Sequence, residues 1–156
     1  MNSQDFLTVV VNRNMFDFQS DQADIRKAFN AIMAVDALAA RIFLDAGGQP
    51  GTGHKDDTAY REALAQRDRH FCLTRDLAKA SKHARLARGN PTLTGADQIG
   101  YHPGAFQLGA FQSNAFDVGR VYVVTDEGTR HDVVSVLAMA LACLSQEMKK
   151  FDLRPL

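Results

Sequence analysis

The residues best suited to chemistry are concentrated between positions 67 and 88. Arg67, Arg69, Arg75, Lys79, Lys82, Arg85 and Arg88 lie there, together with His70 and His83. On a helix of 3.6 residues per turn, Asp76, Lys79 and His83 fall at i, i+3 and i+7 and share one face, with Arg75 one turn before Lys79 at its edge. A cation cluster that includes an imidazole titrating near neutrality suits a phosphate, or proton transfer to and from a reacting group. Arg75, Asp76, Lys79 and His83 are therefore the expected ligand-binding set. A structural alternative stands beside it: Asp76 pairs with Lys79 along the helix surface, and the remaining cations meet acidic helices elsewhere. Such surface pairs contribute only about 0.2–0.5 kcal/mol each.

Charge placement leaves room for a local anion site. The chain carries 18 basic and 18 acidic side chains, so its formal net charge is zero. That balance excludes a generally cationic nucleic-acid binder. By segment, residues 1–46 hold four basic and six acidic groups, residues 54–88 nine and five, and residues 89–156 five and seven. The balances are −2, +4 and −2, so the positive excess belongs to one segment. The other histidines, His54, His102 and His131, lie in or beside expected loops, and no H-x-x-x-H pair occurs on a helix. No metal site and no cofactor are expected. The run Gly48-Gln49-Pro50-Gly51-Thr52-Gly53 imitates a phosphate-binding loop, and 121–127 imitates its acidic strand. The imitation fails chemically. Such a loop continues with Lys for the phosphates and Ser or Thr for magnesium, whereas here His54, Lys55 and Asp56 follow. The segment reads as a helix–helix loop.

The elements that must position these residues are marked by glycine and proline. Windows 1–46, 54–88 and 129–154 contain neither, and they are rich in strong helix formers. They predict helices over about 3–17, 20–46, 57–87 and 132–150. The first would bury Phe6, Val9, Val10 and Phe16, and the second Ile25, Phe29, Ile32, Met33 and Phe43, with Ser20 or Asp21 as cap. Between the last two helices the texture changes. Phe106, Leu108 and Phe111 lie among glycines, Ser113-Asn114 suits a turn, and 118–124 is β-branched and aromatic. Asp126-Glu127-Gly128 is a hairpin signal before a short return strand at 129–131. The expected fold is mainly α: an irregular four-helix bundle with a small antiparallel β-hairpin or sheet, over about 105–131, before the C-terminal helix. A chain of 156 residues suits one domain, with a core that needs no staple. The two cysteines, Cys72 and Cys143, are too few for a disulfide framework. The start lacks a signal-peptide pattern and no stretch is long enough to span a bilayer, so a cytoplasmic protein without a membrane partner is expected.

The segment from Phe71 to His83, Phe-Cys-Leu-Thr-Arg-Asp-Leu-Ala-Lys-Ala-Ser-Lys-His, resembles the R-D-[IL]-A-N-[AG]-x-K-H stretch of small bacterial and phage-borne helical proteins. The tail is similar to theirs as well: a strand at 121–124, the Asp126-Glu127-Gly128 turn, then an apolar helix over 133–148. These proteins are in turn similar to the HEPN class of helical domains, which includes nucleotide-binding modules and RNA-cleaving toxins. The resemblance implies a ribonuclease alternative, with His83 as acid/base and Arg75 stabilising phosphate charge. Nucleases of that class place four to six residues between arginine and histidine; here seven intervene, and the acid Asp76 follows the arginine. The leading expectation is a non-enzymatic helical module. It would bind a protein partner, or the phosphate of a nucleotide or RNA, through the basic 67–88 helix. The alanine-rich helices and the apolar C-terminal helix lead to the expectation of a homo-oligomer, and a purely structural, self-associating protein is the remaining alternative.

Overall fold

The computed structural model describes residues 1–83, 85–86, 91–102 and 119–153. Helices dominate, and a three-stranded antiparallel sheet precedes the C-terminal helix. The elements are α1 (Ser3–Phe6), a π-turn (Leu7–Val11), α2 (Asn12–Ser20), α3 (Ile25–Asp45), α4 (Gly48–Thr52), α5 (Asp57–Arg67), α6 (Arg69–Ala80), β1 (Ile99–His102), β2 (Arg120–Val124), β3 (Arg130–Asp132) and α7 (Val133–Lys150). Among the described residues no helix is long and apolar enough to cross a membrane.

Helix α3 is the centre, with α2, α5, α6 and α7 all packed on it. Asp24 caps it by accepting from the Arg26 and Lys27 amides at 2.8 and 3.1 Å. Its buried stripe runs through Ala28, Ala31, Ile32, Val35, Leu38, Ala39 and Ile42. Ile25 is exposed, and Phe29 and Met33 are only partly buried. Three alanines lie in this stripe, and their short side chains let neighbouring helices approach closely.

The sequence-based boundaries need four corrections. The first helical run reaches Ser20, and a π-turn interrupts it. The wider turn shifts the helical phase, so Val11, Met15 and Phe18 are buried while Val9 and Phe16 face outward. The glycine-rich loop contains a single helical turn, α4, between Gly47 (φ +88°) and Gly53 (φ +75°). Gly51 is obligatory there, because a Cβ would lie 1.5 Å from the Ala46 carbonyl oxygen. The expected helix over 57–87 is two helices broken at Asp68, and the second ends at Ala80. Asp68 is extended (φ −130°, ψ 114°) and caps α6 by accepting from the Phe71 amide. At the far end the Ser81 hydroxyl donates to the Ala78 carbonyl, and the Leu86 amide bonds to Thr94 rather than continuing the helix.

The fourth correction concerns the sheet, which begins earlier than expected. Strand β1 pairs Ile99 with Val123 and His102 with Arg120, and β2 pairs Val123 with His131 and Val124 with Arg130. The Asp126-Glu127-Gly128 turn closes β2–β3 with Gly128 at φ +78°. Tyr122 lies across Gly100, where a Cβ would sit 2.7 Å from its ring, and Arg130 stacks on that ring at 3.8 Å. The expected strand material around Phe106, Leu108 and Phe111, the Ser113-Asn114 turn and residues 84 and 87 of the predicted 57–87 helix lie outside the described residues. Val121 and Val123 point inward with Leu93 and Ile99 onto the same core as Val133, Val136 and Leu137 of α7.

Candidate functional site

Of the four residues expected to bind a ligand, two are buried. Arg75 and Asp76 are 4% and 0% exposed. The Arg75 guanidinium donates to Asp76 Oδ1 at 3.0 and 3.2 Å and to Glu62. Asp76 Oδ2 accepts from the Thr92 amide at 2.7 Å and the Thr92 hydroxyl at 3.0 Å. Burial opposes the charge of Arg75, but Asp76 and Glu62 raise its pKa beyond the ordinary arginine value. Both side chains are fully engaged inside the protein. Lys79 is partly buried, and its charge, with those of Arg61 and Lys82, acts on the buried Asp36. Desolvation nevertheless raises the Asp36 pKa. His83 is exposed beyond the end of α6. The four residues therefore do not form one face: the Arg75–Asp76 pair is internal, and His83 stands apart from it.

A cleft of about 330 Å³ opens elsewhere on the same segment. One wall is the first turn of α6, with Arg69, His70 and Leu73. Pro91 and Thr92 form a second side, and Thr125, Asp126, Glu127, Thr129 and His131 of the hairpin close the third. Each wall is fixed by local chemistry. Asp68 sets the start of α6, and its Oδ1 lies 4.0 Å from His70 Nδ1. Asp76 holds Thr92 from below, and the Asp126 amide donates to the Thr92 carbonyl at 3.0 Å. Gln98 donates to Asp126 Oδ1 at 2.8 Å. His131 sits opposite Val123 in the ladder, which turns it toward the helices, while Arg130 and Asp132 share the outer face with Tyr122.

The electrostatics of the cleft are uneven. Burial lowers the His131 pKa below its ordinary 6.5, and the charges of Arg69 and His70 lower it further. The charge of Arg69 thus disfavours a cation at His131, and an anion placed between the two would relieve that repulsion. The two thiols offer no reactive alternative: burial pushes Cys72 up and Cys143 up to about 11. No cluster of three His, Cys, Asp or Glu suited to a metal occurs among the described residues.

Arg69 and His70 already belonged to the basic stretch, but the expected face lay two turns further on. The Asp68 cap was the local signal for a helix restart beside them. His131 was missed because its role depends on strand register, which turns it inward between outward Arg130 and Asp132. Comparison with protein-family models, with curated proteins and with solved structures gives no match.

Proposed function

We propose that this chain binds a phosphate-bearing ligand of about mononucleotide size in the cleft between α6 and the β2–β3 hairpin. One observation carries the reading: a guanidinium and two imidazoles, contributed by two elements far apart in sequence, line one cavity of about 330 Å³. That volume lies at the small end of the roughly 300–1,000 Å³ typical of ligand pockets. Arg69 supplies a permanent charge and a planar donor fork suited to phosphate oxygens. An anion entering beside His131 favours the charged form of that imidazole. Leu73 and Pro91 provide apolar contact, and Thr92, Thr125 and Glu127 provide partners for sugar hydroxyls or base amino groups. Asp68 already occupies the N-cap of α6, so the attraction comes from Arg69 and the imidazoles rather than the helix terminus, and it works against Asp126 and Glu127 at the hairpin edge.

Calorimetric titration with a nucleoside 3′-monophosphate and with inorganic phosphate tests this. Saturable binding that weakens with ionic strength and falls about tenfold or more in Arg69→Ala is expected, since a charge-assisted bond is worth roughly 1.5–3 kcal/mol. Absence of binding, or binding indifferent to Arg69→Ala, overturns it.

A further inference from the structure

We propose that the same cleft cleaves single-stranded RNA, with His131 as general base, His70 as general acid and Arg69 holding the scissile phosphate. This rests on the phosphate-binding reading above and goes beyond it. The argument begins from the two imidazoles. They come from different elements, α6 and β3, and line one cavity.

Their surroundings differ in sign. His70 has the Asp68 carboxylate 4.0 Å from Nδ1, a counter-ion for its protonated form. His131 is faced by cations from α6, Arg69 and His70. Asp126 and Glu127 border the cleft from the hairpin turn, and Asp126 is already engaged by Gln98 and Thr94. On the strand itself Arg130 and Asp132 project to the opposite sheet face, with Arg130 on the Tyr122 ring. The cleft therefore presents two imidazoles on separate elements, one of them beside a carboxylate, the arrangement that can move a proton off one oxygen and onto another.

That division of labour selects the substrate class. It needs a phosphate with a hydroxyl nucleophile on one side and an alkoxide leaving group on the other. A ribonucleotide linkage carries both, since its 2′-hydroxyl lies beside the phosphorus. In the step, His131 removes the 2′-hydroxyl proton as the 2′-oxygen–phosphorus bond forms. The phosphorus–5′-oxygen bond breaks, and the His70 imidazolium gives its proton to the departing 5′-oxygen. The products are a 2′,3′-cyclic phosphate and a 5′-hydroxyl end. No oxidant or reductant takes part, and proton exchange with water resets both imidazoles. Arg69 balances the charge that develops on the non-bridging oxygens.

The test incubates the intact protein with a uridylyl-adenosine dinucleotide, a single-stranded RNA and a DNA of the same sequence. The same assays are run on His70→Gln, His131→Gln and the exposed control Lys55→Ala. Binding of uridine 3′-monophosphate is measured in parallel on every protein. The expected result is cyclic-phosphate product from RNA, intact DNA, and a loss of about 10²–10⁴-fold in each histidine variant with the control unchanged. The wild-type rate should also follow a bell-shaped pH profile, which reads the two imidazoles without any substitution. If RNA stays intact while uridine 3′-monophosphate binds, the catalytic proposal falls and the binding reading stands. If neither occurs, both fall. Cleavage that survives in both histidine variants also overturns the proposal.

Discussion

Asp76 and Thr92 are joined by two hydrogen bonds, from the Thr92 amide at 2.7 Å and from its hydroxyl at 3.0 Å, to one carboxylate oxygen. The other oxygen of Asp76 holds Arg75. Thr92 is a wall of the cleft and Asp76 is buried within α6, so the most buried ion pair among the described residues also fixes the shape of the cleft. Asp76, expected on an exposed face, instead lies one layer beneath the cleft.

Asp76→Ala should therefore destabilise the fold strongly. It leaves Arg75 buried with Glu62 as its remaining acid and leaves two Thr92 donors without an acceptor. Loss of about 3–5 kcal/mol is expected for breaking a buried pair by removing one partner. Denaturant unfolding measures it, and a loss below 1 kcal/mol would show that the pair is dispensable. Lys82→Ala, on an exposed side chain, should change stability by no more than about 0.5 kcal/mol.

Gly51→Ala separates structure from the imitation of a phosphate-binding loop. The new Cβ would collide with the Ala46 carbonyl oxygen, a backbone atom. The single turn of α4 must deform, at a cost of about 1–3 kcal/mol. Thermal unfolding should show the loss, while phosphate binding of the folded protein stays unchanged. Weakened phosphate binding in the folded variant would point instead to the glycine loop.

Tyr60 and Glu147 form a second buried pair, the phenol donating to Glu147 Oε2 at 3.0 Å while Arg67 donates to Oε1 at 3.1 Å. Burial, followed by the Glu147 charge, pushes the phenol far above its ordinary 10. Above pH 10 the unfolded chain releases this proton and the folded one retains it, so stability falls as pH rises beyond 10. Tyr60→Phe should remove that part of the alkaline loss. It should also cost about 1–3 kcal/mol at neutral pH, because a buried Glu147 oxygen loses its donor.

His131 sets a pH dependence of the opposite sign. Its folded pKa lies below 6.5, so below pH 6.5 the unfolded chain binds more protons and stability declines as pH falls. His131→Gln should flatten this acid-side slope. A bound phosphate reverses the preference by stabilising the imidazolium, so ligand affinity should rise as pH falls from about 7.5 to 6. Affinity that stays constant over that range would remove His131 from the site.

The long periodic helices α3 and α7 are legible because one apolar stripe persists over several turns, and the Asp126-Glu127-Gly128 turn because glycine must supply a positive φ. The break at Asp68 was hidden: no glycine or proline marks it, only an aspartate able to cap. Its consequence is visible in Arg75 and Glu62. Thirteen residues apart on a continuous helix they would be separated by about 20 Å, yet the break folds α6 back until they pair. The π-turn at Leu7–Val11 misplaced the first buried face by shifting its phase, which is why Phe16 is 70% exposed. The cationic segment is legible as a local excess of charge, whereas the cleft is not. It requires Thr92 to reach Asp76 and strand register to turn His131 inward, and neither contact leaves a local pattern.

The most direct measurement follows the imidazole resonances of the five histidines during titration with uridine 3′-monophosphate. His70 and His131 should shift together and saturably, the His131 titration midpoint should move upward from below 6.5, and exposed His83 should stay where it is. A saturable shift at His83 with His70 and His131 unmoved would place the site at the far end of α6 and contradict the assignment of the cleft.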